Sequence, residues 1–372
     1  MTQFSYSPTQ RQAVICMLSY LSAFAKGSLE ELQATTAEKL DLMFQLHDLQ
    51  ALIGHWEVVW GPAIFQAHKS DVADNTMFMA RCLDEPKLIV SIAGTNPYSW
   101  FNWLLEDLPV RKKEVWPTFT GDSTQLQPKI SQGTANGLRV LQEMKAGGQS
   151  VTDFLQTYLS ASSESMSIVV TGHSLGGALS PAMAVYLADT QPTWDPEGRA
   201  ELTLMPMAGP TPGNVDFATY GDQKLNGRIQ RIWNEKDIVP HAWDKTLMGE
   251  LSTLYTPTIK PSWLTCFVIF ITRRIANRSD YGHLRPDANP LPGEVVPNSE
   301  AIQMLPASFI NRFLPKYMVQ MGYQHLEAYY RLLDMKAFAQ IMGGTLPDAL
   351  SGPDLEELRR RVAEQNENSP KN

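Results

Sequence analysis

The chain has 372 residues, 43% of them hydrophobic, which is enough for a substantial core in one large α/β domain or two smaller ones. Its 31 Lys and Arg against 39 Asp and Glu give a formal net charge of −8, which counts against nucleic acid as a partner because no basic stripe is present to release counterions. Three widely spaced cysteines (Cys16, Cys82, Cys266) form neither a disulfide framework nor a metal-ligand pattern, and no segment has the ~20 apolar residues needed to span a bilayer.

Ser7-Pro8 reads as an N-cap followed by proline in the first helical turn, predicting a helix over 8–25. Ala23-Phe24-Ala25 imitates a signal-peptidase site, but Tyr20 and the serines dilute the apolar stretch, so no convincing signal peptide is expected. Location is left open between the cytoplasm and export by a route the sequence does not display. Ser28-x-x-Glu31 is a capping box opening a second amphipathic helix. Strands are expected over 56–60, 76–82 and 88–93, then an aromatic-rich piece over 98–108 and a polar, turn-rich stretch to about 130. Helices follow over 133–144 and 151–159, and strands over 167–171, 202–207 and 228–233. The tail over 352–372 is charged and predicts a short helix with a frayed end. Strands alternating with helices imply an α/β protein with a mostly parallel central sheet covered on both faces, with ligands at the carboxyl ends of its strands.

The most informative segment is Gly172-His173-Ser174-Leu175-Gly176, set between a short β-branched apolar run and a helix-forming stretch. A Gly-x-Ser-x-Gly pentad arises by chance in roughly one chain of this size in ten, so its context decides. Strand, sharp turn and helix are the setting of a nucleophile elbow, in which flanking glycines avoid collision and the helix N-terminus faces a developing oxyanion. His173 flanks the serine, with its side chain expected to point away from it. A serine hydroxyl is nearly inert at neutral pH and needs a histidine base oriented by a carboxylate.

Downstream, Asp237 in Asn234-Glu235-Lys236-Asp237-Ile238-Val239-Pro240 follows a strand end on a loop stiffened by proline. His241 shares that loop and reads as a loop or core histidine. His283 is one candidate base, and His325, late in the chain before a helix, is the first choice. The oxyanion donors are read as the N–H of Leu175 and a second group from the loop Ala93-Gly94-Thr95.

Taken together, these pieces resemble the class 3, fungal-type triacylglycerol lipase family of the α/β-hydrolase superfamily. The resemblance covers roughly 85–335. It rests on five ordered segments: 88–95; Trp103 to Leu108; the elbow; Gly209-Pro210-Thr211-Pro212-Gly213-Asn214 with Phe217; and 234–240. His325 followed by Tyr329 resembles the terminal histidine motif. The resemblance implies an α/β-hydrolase fold in one domain over 1–372, with N-terminal helices over 1–50. It implies Ser174 as nucleophile, Asp237 as orienting acid and His325 as base, with Thr95 and Leu175 as oxyanion donors and no metal or organic cofactor. Two departures are Ala93, where the family has arginine, and Pro181 inside the helix after Ser174, where a kink or irregularity is expected. The long interval from Asp237 to His325 keeps His283 as the alternative base.

The piece over 96–110 reads either as core or, as the resemblance implies, as a lid carrying Trp100, Phe101, Trp103 and Leu104. The apolar run over 263–271, flanked by Lys260, Arg273 and Arg274, reads as a buried strand or part of an acyl-pocket wall, with peripheral lipid contact as the lesser reading. The expected activity is carboxylic-ester hydrolysis on a lipid or ester substrate, triacylglycerol first, at an oil–water interface. Phospholipase A1 or aryl/feruloyl esterase activity is the alternative, and a catalytically silent lipid-binding module a further one.

Overall fold

The computed structural model describes residues 4–21, 23, 25–94, 112–276, 279–303, 316–343 and 352–368. Helices α1 (Pro8–Leu18), α2 (Leu29–Gln45) and α3 (His47–Ile53) open the chain. Ser7 and Ser28 cap the first two through reciprocal boxes with Gln10 and Glu31. The first helix ends before 25, because the Ser19 N–H and hydroxyl both turn back onto the Cys16 carbonyl.

Strands β1 (Trp56–Phe65), β2 (Asn75–Cys82) and β3 (Lys87–Ile92) form an antiparallel meander. Next come short strands β4 (Lys113–Val115) and β5 (Lys129–Ser131), helices α4 (Gln132–Glu143) and α5 (Val151–Ser160), strand β6 (Met166–His173), helix α6 (Leu175–Trp194) and strand β7 (Ala200–Met207). The main sheet runs β1-β2-β3-β6-β7, so the expected parallel pairing holds for β3-β6-β7, the half that carries the elbow, and the whole is mixed. The segment read as a strand over 228–233 runs parallel to β7 but pairs only through isolated bridges, Leu204 with Ile229 and Met207 with Ile232, as the frayed edge of the sheet.

Side chains alternate with the pleat. Leu88, Val90, Ile168 and Val170 bury on one face with α4 to α6, whereas Ile89, Val169 and Met205 bury on the other with the N-terminal helices. Burying both faces explains why these strands read as continuous apolar runs. Helix α6 runs unbroken across Pro181 and Pro192, so proline does not end it. Strands β8 (Gly213–Asn214) and β9 (Tyr281–Gly282) join β4 and β5 in a small second sheet. The turn-rich reading of the stretch before 130 did not foresee it, because three-residue strands carry too little alternation to register.

Helix α7 (Val215–Lys224) precedes the acid loop, and α8 is Trp263–Ala276. That run is therefore helical and not a buried strand. A continuous apolar stretch does not separate the two by periodicity. Helices α9 (Asn298–Gln303), α10 (Lys316–His325), α11 (Glu327–Leu332), α12 (Lys336–Ile341) and α13 (Leu355–Asn368) complete the chain. Among the described residues, no helix is long and apolar enough to cross a membrane.

Candidate active site

Ser174 lies at the junction of β6 and α6 with φ 61° and ψ −122°, a conformation that strains a residue bearing a Cβ. Two glycines make the turn sterically feasible. A Cβ on Gly172 would stand 2.4 Å from the Gly176 carbonyl oxygen, and one on Gly176 would stand 2.2 Å from that of Ile92. The strained residue is held by its N–H, which donates to the Met207 carbonyl at 3.1 Å. Leu175, first in α6, has an N–H with no acceptor within the helix, at the positive end of the helix dipole.

Three side chains remote in sequence meet here. Ser174 Oγ lies 2.8 Å from His325 Nε2, and His325 Nδ1 lies 2.9 Å from Asp237 Oδ2. All three residues are buried, with Ser174 7% exposed. A carboxylate only accepts, so His325 donates from Nδ1. Its Nε2 therefore accepts from the serine hydroxyl, which is the tautomer a general base needs.

Asp237 is itself fixed. Its Oδ1 accepts the Val239 N–H at 3.0 Å, and its Oδ2 accepts the Tyr329 hydroxyl at 2.9 Å. The same Tyr329 oxygen accepts the Asn234 N–H at 3.0 Å. Asn234 Nδ2 donates to the backbone and side-chain oxygens of Gln324, the residue before His325. The acid loop and the end of α10 are thus joined by buried hydrogen bonds on both sides of the Asp237–His325 contact.

His173 supplies another anchor. Its side chain faces away from the serine, and Nε2 donates to the His325 carbonyl at 2.9 Å. A neutral imidazole that donates from Nε2 accepts at Nδ1, so the Tyr20 hydroxyl 2.9 Å away donates to it. Burial, followed by the proximity of His325, pushes the His173 pKa well below the usual imidazole range. Gly94 is required at this point because a Cβ there would lie 2.2 Å from the Tyr20 oxygen.

The other two histidines serve the acid loop. His241 Nδ1 donates to the Asp237 carbonyl at 2.6 Å, and His283 Nε2 donates to the Pro240 carbonyl at 2.8 Å. His283 is therefore turned to the loop backbone, while His325 occupies the position between Asp237 and Ser174. Ala93, a departure from the arginine of the family the chain resembles, is buried and tied through its N–H to the Thr76 carbonyl at 2.9 Å. Thr95 and the segment 96–110, with Trp100, Phe101, Trp103 and Leu104, lie outside the described residues. Tyr20 and the Asn234–Gln324 bonds were not found from sequence. Neither has a local motif, since each matters only through a contact made across the fold.

Comparison with known proteins follows the same outline. Residues 89–246 match the family described as Lipase (class 3). A chloroplastic phospholipase A1-Igamma2 from Arabidopsis thaliana is 37% identical over 76 residues, 20% of this chain and 14% of that protein. A lipase from Rhizopus niveus is 36% identical over 74 residues, 20% of this chain and 18% of that protein. The chain therefore spans less than a fifth of the length of these curated relatives. Among solved structures, M37 lipase superposes with a TM-score of 0.74 at 28% identity, covering 89% of this chain and 95% of that one.

Proposed function

We propose that this chain, whose segment 89–246 belongs to the class 3 lipase family on an α/β-hydrolase fold, is a serine carboxylic-ester hydrolase of the triacylglycerol lipase type. The observation that carries the reading is the unbroken hydrogen-bonded path from Ser174 Oγ through the His325 ring to the Asp237 carboxylate. Ser174 Oγ bonds to the ester carbonyl carbon as its proton passes to His325 Nε2. The carbonyl oxygen becomes an oxyanion, for which the Leu175 N–H and Thr95 are the donors in this proposal. The tetrahedral species collapses, the C–O bond breaks, and the leaving alcohol takes the proton from Nε2. Water then attacks the acyl-enzyme by the same route and releases the carboxylic acid, restoring the serine. No metal or organic cofactor enters this cycle. Asp237 holds the Nδ1–H and stabilises the imidazolium that forms.

Residues 96–110 are the proposed lid, whose movement would admit the ester to the buried serine. The substrate is an apolar ester presented at a lipid surface. Phospholipase A1 activity is the second reading, favoured by the matched segment of the Arabidopsis protein of that name. Ser174→Ala is expected to abolish p-nitrophenyl ester hydrolysis and fluorophosphonate labelling while leaving the circular dichroism spectrum unchanged. Retention of most activity would falsify the assignment of the nucleophile. Rates on emulsified triolein and on phosphatidylcholine separate the two substrate readings.

A further inference from the structure

Helix α8 is amphipathic in the reverse sense. At 3.6 residues per turn, Trp263, Phe267, Phe270 and Arg274 fall in one stripe, and all four are exposed, Trp263 to 80%. Leu264 and Ile271 widen the exposed stripe on one side, and Arg273 borders it on the other. The inward face carries the smaller Thr265, Val268, Ile269 and Thr272, which line a cavity of about 220 Å³. The opposite wall of that cavity includes Ile238, next to Asp237, and Tyr317 and Met321 on the helix that ends in His325. A surface helix ordinarily turns its aromatic side chains inward and its threonines to water. Here the largest apolar groups face out, on a helix whose inward face shares a cavity with Ile238 and with the helix that ends in His325.

We propose that α8 is a docking element for an anionic lipid surface, distinct from the proposed lid. This deepens the hydrolase reading by naming the kind of surface that brings substrate to the site. Trp263, Phe267 and Phe270 enter the boundary between headgroups and acyl chains, where aromatic side chains partition favourably. Arg273 and Arg274, at the last turn of the same face, meet the phosphates. In a protein with a net charge of −8, two arginines beside an exposed aromatic stripe complement an anionic surface that the rest of the chain would repel. A second copy of the chain fits less well. A two-fold contact there would bring the arginine pairs of both copies into the buried patch, leaving like charges desolvated with no carboxylate to pair them.

Cys266, the exposed cysteine on α8, provides the probe. The full chain carrying Ser174→Ala, so that lipid is not consumed, is labelled there with an environment-sensitive fluorophore and titrated with vesicles. One set is phosphatidylcholine alone and the other contains about one third phosphatidylglycerol. Expected are a blue shift and tighter partitioning on the anionic vesicles. Trp263→Ser with Phe267→Ser and Phe270→Ser should weaken partitioning about a hundredfold or more. Arg273→Gln with Arg274→Gln should remove the anionic preference, at about fivefold per arginine. Because these side chains are exposed, the same substitutions in the chain with Ser174 intact should leave hydrolysis of a soluble ester unchanged. Equal partitioning of the triple-serine variant and its parent overturns the proposal. So does a parent dimer in sedimentation equilibrium that the triple variant abolishes, if neither protein binds vesicles. Vesicle binding lost with the serines, in a chain that never hydrolyses any ester, supports the docking helix and rejects the hydrolase reading.

Discussion

Tyr329→Phe isolates one oxygen atom. The Tyr329 hydroxyl donates to Asp237 Oδ2 at 2.9 Å and accepts the Asn234 N–H at 3.0 Å, and both partners are fully buried. A hydrogen bond to an ionised group contributes ~1.5–3 kcal/mol, and a buried N–H left without an acceptor costs ~1–3 kcal/mol. The ring remains, so little packing is lost, and the expected destabilisation is about 4 kcal/mol. Catalysis should suffer less. Asp237 keeps the Val239 N–H and the His325 Nδ1–H, so His325 stays oriented and kcat should fall by about tenfold, or ~1.4 kcal/mol of barrier. Urea unfolding followed by fluorescence gives the first quantity, provided the m value is unchanged. Initial rates on p-nitrophenyl butyrate below the unfolding range give the second. A stability change under about 1 kcal/mol would refute the view that this oxygen joins the acid loop to the rest of the site. A rate loss as deep as that of Ser174→Ala would refute the division between anchoring and orienting.

The remaining predictions concern the same neighbourhood. Asp237→Asn places an amide N–H2 toward either the His325–Tyr329 donors or the Val239 N–H; in the first case the imidazole adopts the wrong tautomer, and kcat should drop about 10⁴-fold. An Asp237→Asn enzyme within tenfold of wild type would show that the carboxylate is not needed. Gly176→Ala puts a Cβ 2.2 Å from the Ile92 carbonyl oxygen, where backbone cannot yield, and should destabilise by about 3 kcal/mol; an unchanged thermal midpoint would contradict the close packing of the elbow on β3. Burial depresses the pKa values of His173, His241 and His283 below the usual imidazole range, with His325 adding to the effect at His173 and Arg231 at His283. Their folded values lie below their unfolded values, so the stability they support is present above about pH 6.5 and is lost as pH falls below it. Each contributes up to ~1.4 kcal/mol per pH unit. The urea midpoint should therefore fall between pH 7.5 and 5.5, and a flat profile would sink this account. Glu327, pushed up to about 7 by burial, acts in the opposite direction. Its contribution is present below its unfolded value and is lost as pH rises through about 7.

The elbow was legible in the sequence because its chemistry is local. A sharp turn demands glycine on both sides of Ser174, the strand before it must be apolar on both faces, and the helix after it follows directly. Helix caps at Ser7 and Ser28 were legible for the same reason, since a cap and its partner lie three residues apart. Asp237 was legible as a loop carboxylate after a strand end, although nothing within that loop separated it from a turn aspartate.

Which histidine faces Ser174 was decided only by the fold. His283 and His325 are each plausible by order and flanking residues, and the packing of α10 against the acid loop puts one of them on the Asp237 carboxylate and the other on the Pro240 carbonyl. Tyr20, in the turn that follows α1, reaches the elbow because α1 packs across β3 and β6, which brings together residues 153 positions apart. The outward face of α8 was likewise beyond the sequence. Hydrophobic runs record how apolar a segment is, whereas the direction in which its side chains point depends on what the rest of the chain leaves for it to cover. Short-range sterics and hydrogen bonds are written into neighbouring residues; the meeting of groups from opposite ends of the chain is a property of the packed core.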